Sequence, residues 1–175
     1  MKTSMAATLS GLAFLAGCAT QGAGTMPAIP ENLRATAAET LALETKATGV
    51  QIYECGVAGN DPARFQWNFK APEADLFDTA GKRIGRHYAG PTWESNDGSK
   101  VVAGVKARSD APDAKAIPWL LLGAKSTAGS GVFSRTSSIQ RVATVGGTAP
   151  TEPCNEALAG KVARVNYTAT YYFYR

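Results

Sequence analysis

The sequence predicts an all-β fold: a single-domain antiparallel sandwich or barrel with long loops and one disulfide. Two observations carry that expectation. Apolar and polar residues alternate at period two in segment after segment, and glycine- and asparagine-rich turn signals separate those segments at regular spacing. The last segment is the clearest. Val165, Tyr167, Ala169, Tyr171 and Phe173 alternate there with Asn166, Thr168, Thr170, Tyr172 and Tyr174. Strands so arranged point to a sandwich or a barrel. Tyrosines on both faces of this last strand place it in the interior of the sheet rather than at an edge.

The elements follow in order. Lys2 supplies a short positive start, and Met5 to Ala16 form an uncharged, mostly apolar run. That run is shorter than the ~20 residues a membrane-spanning helix needs, so it reads as an export signal. Leu15-Ala16-Gly17-Cys18 resembles the lipobox of bacterial lipoproteins, with small residues before the cysteine where cleavage occurs. The resemblance implies a signal peptide over residues 1–17, a lipid on Cys18, and a membrane partner reached through that lipid. Ala19 in place of an aspartate implies sorting to the outer membrane, facing the periplasm. Residues 18–30 are rich in Gly, Ala, Thr and Pro and read as a lipidated N-terminus with a flexible tether. Residues 31–175 then form the single all-β domain.

Cysteine arithmetic adds the disulfide. Three cysteines in an exported chain leave one unpaired. With Cys18 lipidated, Cys55 and Cys154 remain, and an oxidising periplasm favours their pairing. The bond would close a loop of roughly 100 residues, for which the chain-entropy account gives about 4–5 kcal/mol.

Within the domain, Leu33, Ala37 and Leu41 fit a helical face, whereas Leu41, Leu43 and Thr45 alternate as in a strand. Ala47-Thr48-Gly49 reads as a turn, so Glu39 to Lys46 is assigned to a strand that enters a hairpin. Val50 to Cys55 is the next strand, followed by a loop at Gly59-Asn60-Asp61-Pro62. Phe65, Trp67 and Phe69 share one face of a further strand. Ala74 to Phe77 and Arg83 to Tyr88 form a hairpin around Asp78-Thr79-Ala80-Gly81, and Asn96-Asp97-Gly98 turns the chain into Val101 to Arg108. Ile117 to Lys125 is apolar throughout and reads as a strand covered on both faces. Gly129-Ser130-Gly131 leads into Val132 to Thr144, expected as two strands or one bent strand.

Composition bounds the function. The chain is 45% hydrophobic, enough for a core, and its formal net charge of +4 falls by one when Lys2 leaves with the signal. The basic residues are scattered, which argues against nucleic-acid binding. Asn166-Tyr167-Thr168 matches an N-glycosylation pattern but lies inside a strand of a chain with a bacterial signal, so it is set aside.

Several segments together resemble DUF3455, a family of exported proteins of unknown function. They are Gly49 to Cys55, Trp67 to Ala74, His87 to Glu94, Asp97-Gly98-Ser99, Ile117 to Leu122, Ile139-Gln140-Arg141, Gly146 to Pro150 and Tyr167 to Tyr174. The resemblance implies an exported single domain and supplies no activity. The chain has no Gly-x-Gly-x-x-Gly between a strand and a helix, so nothing points to a dehydrogenase.

His87 is the only histidine, so no multi-histidine metal site can form. His87 with Glu94 and Asp97 makes a thinkable zinc set, but their spacing does not bring them together, and no metal or cofactor is expected. A Ser99-His87-Asp97 triad lacks the serine elbow such sites use. A Glu54 and Glu94 pair for glycoside chemistry needs a separation that spacing does not fix. The segment from His87 to Asp97 is richest in recognition groups, and His87, Tyr88, Trp93 and Glu94 form the candidate ligand site. Trp67 and Trp119 are assigned to the core. The functional expectation is a non-enzymatic envelope lipoprotein that binds a small molecule, glycan or protein. The alternatives are an enzyme with its site around His87, Trp93 and Glu94, or a purely structural envelope module.

Overall fold

The computed structural model describes residues 26–175, so Cys18 and the signal segment lie outside the described residues. Eight antiparallel strands close into a barrel: β1 Leu41–Ala58, β2 Asp61–Phe77, β3 Arg83–Tyr88, β4 Thr92–Ser95, β5 Lys100–Ser109, β6 Trp119–Ala128, β7 Ser138–Gly146 and β8 Val162–Tyr174. Each strand pairs with its neighbour in sequence, and β8 returns to pair with β1. The barrel alternative is therefore the one realised, with no sheet edge left at the closing seam. Long loops join β5 to β6, β6 to β7 and β7 to β8.

Period-two alternation builds the core. Tyr167, Ala169, Tyr171 and Phe173 of β8 face inward and pack with Ala47, Leu76, Trp93, Val101, Leu122 and Ile139. Tyr172 and Tyr174 face outward yet are also buried, because the chain before β1 lies across that wall. There Leu33, fully buried in a short 3-10 turn at Glu31–Leu33, packs with Trp119, Val142, Tyr172 and Tyr174, and Ile29 joins them. Burying a leucine of that kind contributes about 1.5–3 kcal/mol. Gln140 fastens the segment by donating from Nε2 to the Leu33 carbonyl at 2.6 Å and accepting from the Tyr174 hydroxyl at 2.7 Å.

Two elements differ from the sequence expectation. Ala47-Thr48-Gly49 is not a turn, and β1 runs through it unbroken. Gly49 is opposite Ala74, where a Cβ would collide with the Glu73 carbonyl oxygen and Ala74. Glycine is there for close approach of two strands. Val132 to Ser137 is likewise not strand; β7 begins at Ser138. The Val132 and Phe133 N–H groups are satisfied by Asp97 Oδ2 and Ser99 Oγ instead of a sheet ladder. This turns the fully buried Phe133 into a plug against Phe173, ring centroids 4.7 Å apart, at one end of the barrel.

The opposite end is open on one side. The β2–β3 ladder stops at Ala74–His87, and the β3–β4 hairpin turns at once through Ala89-Gly90-Pro91. β2 and β5 run on past it, so a notch forms between their upper halves. Pro72 occupies β2 where it has lost its β3 partner, a place where a missing N–H is tolerated. At this same end Cys55 and Cys154 form the disulfide across a sequence separation of 99. Trp67, half-buried beside it, donates from its indole nitrogen to the Glu152 carbonyl at 2.9 Å and holds the Cys154 loop.

Candidate functional site

The four candidate residues divide between the two faces of one wall. His87 and Trp93 are cross-strand partners on β3 and β4 and point inward; Tyr88 and Glu94 follow them and point outward. Outside, the Tyr88 hydroxyl donates to Glu94 Oε2 at 2.7 Å, and Arg86 and Lys100 lie at 3.0 and 3.6 Å from the same oxygen. The Tyr88 hydrogen bond, then Arg86, hold the Glu94 carboxyl below the usual range. That cluster is internally satisfied. Inside, the His87 ring stacks on Trp93 at 4.2 Å, and Tyr171 meets both rings edge-on.

His87 is buried and its Nδ1 is 2.8 Å from the Thr92 carbonyl oxygen. A carbonyl only accepts, so Nδ1 carries the proton and Nε2 is an acceptor. Burial, which disfavours the charged ring, pushes its pKa down to about 3 against the support of the Thr92 hydrogen bond. His87 is therefore a neutral wall group at physiological pH.

Behind the notch is a cavity of about 320 Å³. Its rim is exposed, with Phe69 and Val105 at 53% and 59% accessibility, and its floor of Trp93, Leu122 and Tyr171 is buried. Pro72, Pro91 and Leu120 complete the apolar walls. The volume is at the lower end of the ~300–1,000 Å³ of small-molecule sites. Arg141 also lines it, from β7, directly opposite Tyr171 of β8. The Arg141 Nη2 and Nε groups donate to the Pro118 carbonyl at 2.8 and 3.2 Å. The hydroxyls of Tyr171 and Tyr167 and the Gln51 amide form a buried row along the inner wall in which each group approaches the next and Tyr171 approaches Arg141, although the two hydroxyls and the Gln51 nitrogen complete no well-formed hydrogen bond among the described residues. Desolvation raises the pKa of both tyrosines, so they remain hydrogen-bond donors.

A larger groove of about 610 Å³ lies outside, over β1 to β3. Its arginines are already matched: Arg83 with Asp75, Arg86 with Glu94, and Arg164 with Glu73. The other sequence candidates separate likewise. Ser99 Oγ donates to Asp97 Oδ1 at 2.6 Å and accepts from the Phe133 N–H, so it serves a turn and does not meet His87. Glu54 pairs with Lys70 and Glu94 with Arg86, each in its own surface contact. Among the described residues no group of three His, Cys, Asp or Glu side chains could hold a metal ion. Trp119 packs in the outer cluster beneath Leu33, as a core residue.

Arg141 and Tyr171 line the cavity and were not among the sequence candidates. The available signal was an arginine on the same face of its strand as Ile139, a charge in a position otherwise reserved for the core.

A closed antiparallel barrel, plugged at one end and holding a ligand-sized cavity at the other, defines the class of this protein. The chain belongs to the family described as protein of unknown function (DUF3455), whose model matches residues 36–175 and so takes in all eight strands. No curated protein matches the chain.

Proposed function

We propose that this protein is an exported, lipid-anchored binding protein that holds a small molecule in the barrel cavity. The observation that carries the reading is the cavity itself: an apolar, solvent-reached space whose floor holds the buried Trp93 indole N–H and Tyr171 hydroxyl, neither in a well-formed hydrogen bond among the described residues. Buried donors ordinarily have hydrogen-bond partners, so a molecule seated in this space would find two donors to accept from. A structural module would have a filled interior at this end. The enzyme alternative needs His87, Trp93 and Glu94 together, and Glu94 faces away from the other two.

Anchoring through Cys18 is consistent with the outer wall. It carries the ion pairs Glu54–Lys70, Asp75–Arg83, Glu73–Arg164 and Glu94–Arg86, where a membrane-spanning barrel presents an apolar band. Lipid chains at the N-terminus, each buried methylene contributing about 0.8 kcal/mol, would hold a water-facing barrel at the envelope.

Mass spectrometry of the protein extracted from its native membrane tests both parts. The expected result is an N-terminus at Cys18 bearing acyl chains, an intact disulfide and a co-purifying small molecule released on unfolding. An unlipidated N-terminus cut after Ala23 contradicts the anchor. Protein that is empty, and stays empty when offered apolar small molecules, contradicts the binding role.

A further inference from the structure

Among the described residues two cations line the cavity, and one of them is ion-paired. Lys70 at the rim is 3.6 Å from Glu54. Arg141, deeper in, joins none of the ion pairs found among the described residues. Its guanidinium has five N–H donors and gives two of them to the Pro118 carbonyl, so the rest are left to the Tyr171 hydroxyl beside it and to the cavity. Directly across the ladder is Tyr171, fully buried, its hydroxyl beside the Arg141 guanidinium and the Tyr167 hydroxyl without a well-formed hydrogen bond to either. The Arg141 charge is felt by Tyr53, His87, Tyr167 and Tyr171, all on the inner wall. A cation in that setting is stabilised by a counter-ion, and the described side chains lining the cavity include no carboxylate.

We propose that the ligand is a small apolar acid, its carboxylate held by Arg141 and the Tyr171 hydroxyl and its hydrocarbon body by Trp93, Leu122, Pro91 and Phe69. This rests on the ligand-binding reading above and names the ligand class. The planar guanidinium fork matches the two oxygens of a carboxylate, and a phenol supplies a further donor. One arginine and one tyrosine suit a single carboxylate better than a phosphate, which carries more charge and more acceptor oxygens. Apart from Lys70 at the rim, the remaining wall is hydrocarbon and aromatic ring, which disfavours a sugar. Arg141 itself repels cationic ligands.

Calorimetry with naphthoate and its neutral counterpart naphthamide tests the assignment on the mature domain. Naphthoate is expected to bind about tenfold or more tighter than naphthamide, as charge-assisted hydrogen bonds imply. Tyr171→Phe removes a hydroxyl that makes no well-formed hydrogen bond and keeps the ring, so it should fold, and it should lose about tenfold in naphthoate affinity and less in naphthamide affinity. Arg141→Gln should abolish the preference for the acid. Equal binding of the two probes, or a preference that survives both substitutions, overturns the acid assignment and leaves the cavity as a binding site for neutral molecules. If neither probe binds, the binding reading itself fails along with it.

Discussion

At the scale of single residues, His87 shows how burial decides chemistry. A lone histidine among aromatic and acidic neighbours looked like a recognition group, and it does line a cavity. Its ring is nevertheless committed, with Nδ1 on the Thr92 carbonyl and one face on Trp93. The depressed pKa has a definite sign for stability. Between about 6.5 and about 3 the unfolded chain binds a proton that the folded chain excludes, so stability falls as pH falls through that window, by at most about 1.4 kcal/mol per pH unit. Two carboxylates add to the loss at lower pH. Asp97 is held to about 2 by hydrogen bonds led by that of Ser99; desolvation raises Glu39, but hydrogen bonds from Ser137, Ser138 and Thr36 together outweigh it and hold the carboxyl at about 2. Because His87 is the only histidine, its imidazole resonances are unambiguous. Nitrogen-resolved NMR should show the neutral Nδ1–H form persisting at pH 5 in the folded protein; an ordinary titration centred near pH 6.5 would refute the buried, hydrogen-bonded geometry.

At the scale of elements, alternation is legible in the sequence only between irregularities. β8 reads true from end to end, because its inner and outer faces keep one phase from Val165 to Tyr174. β2 does not. Phe65, Trp67 and Phe69 share a face with Cys55 and Tyr53, but a bulge between Phe69 and Ala71 shifts the phase, and Pro72, Ala74 and Leu76 are the inward residues beyond it. The candidate site was half legible for the same reason. The segment from His87 to Glu94 borders the cavity, yet strand geometry sends alternate members to opposite faces of the wall. Arg141 and Tyr171 come from distant strands that meet only when the barrel closes. β8 is the strand that closes it, pairing with β1 on one side and β7 on the other. Ending the chain after Val165 should therefore abolish folding. Soluble protein with native-like circular dichroism from that truncation would contradict this account of closure.

At the scale of the molecule, the two ends of the barrel are different because their loops are. Asp97 and Ser99 pin Phe133 into one end, and the abrupt β3–β4 hairpin leaves the other incompletely walled. The disulfide and Trp67 brace that open end by holding the long β7–β8 loop to the β1–β2 hairpin. The fold class and the cystine were readable from patterning and cysteine parity; the notch was not, since it depends on how far neighbouring strands overrun one another. The cavity that results is the centre of the functional account, and one titration addresses it directly. Naphthoate is added to the protein while the His87 imidazole and Trp93 indole signals are followed by NMR, alongside Val105→Trp, which crowds the exposed rim without touching the core. Binding in the cavity gives saturable, one-to-one shifts of both residues that disappear in the rim variant; signals that stay in place, or that move equally in Val105→Trp, would refute binding there.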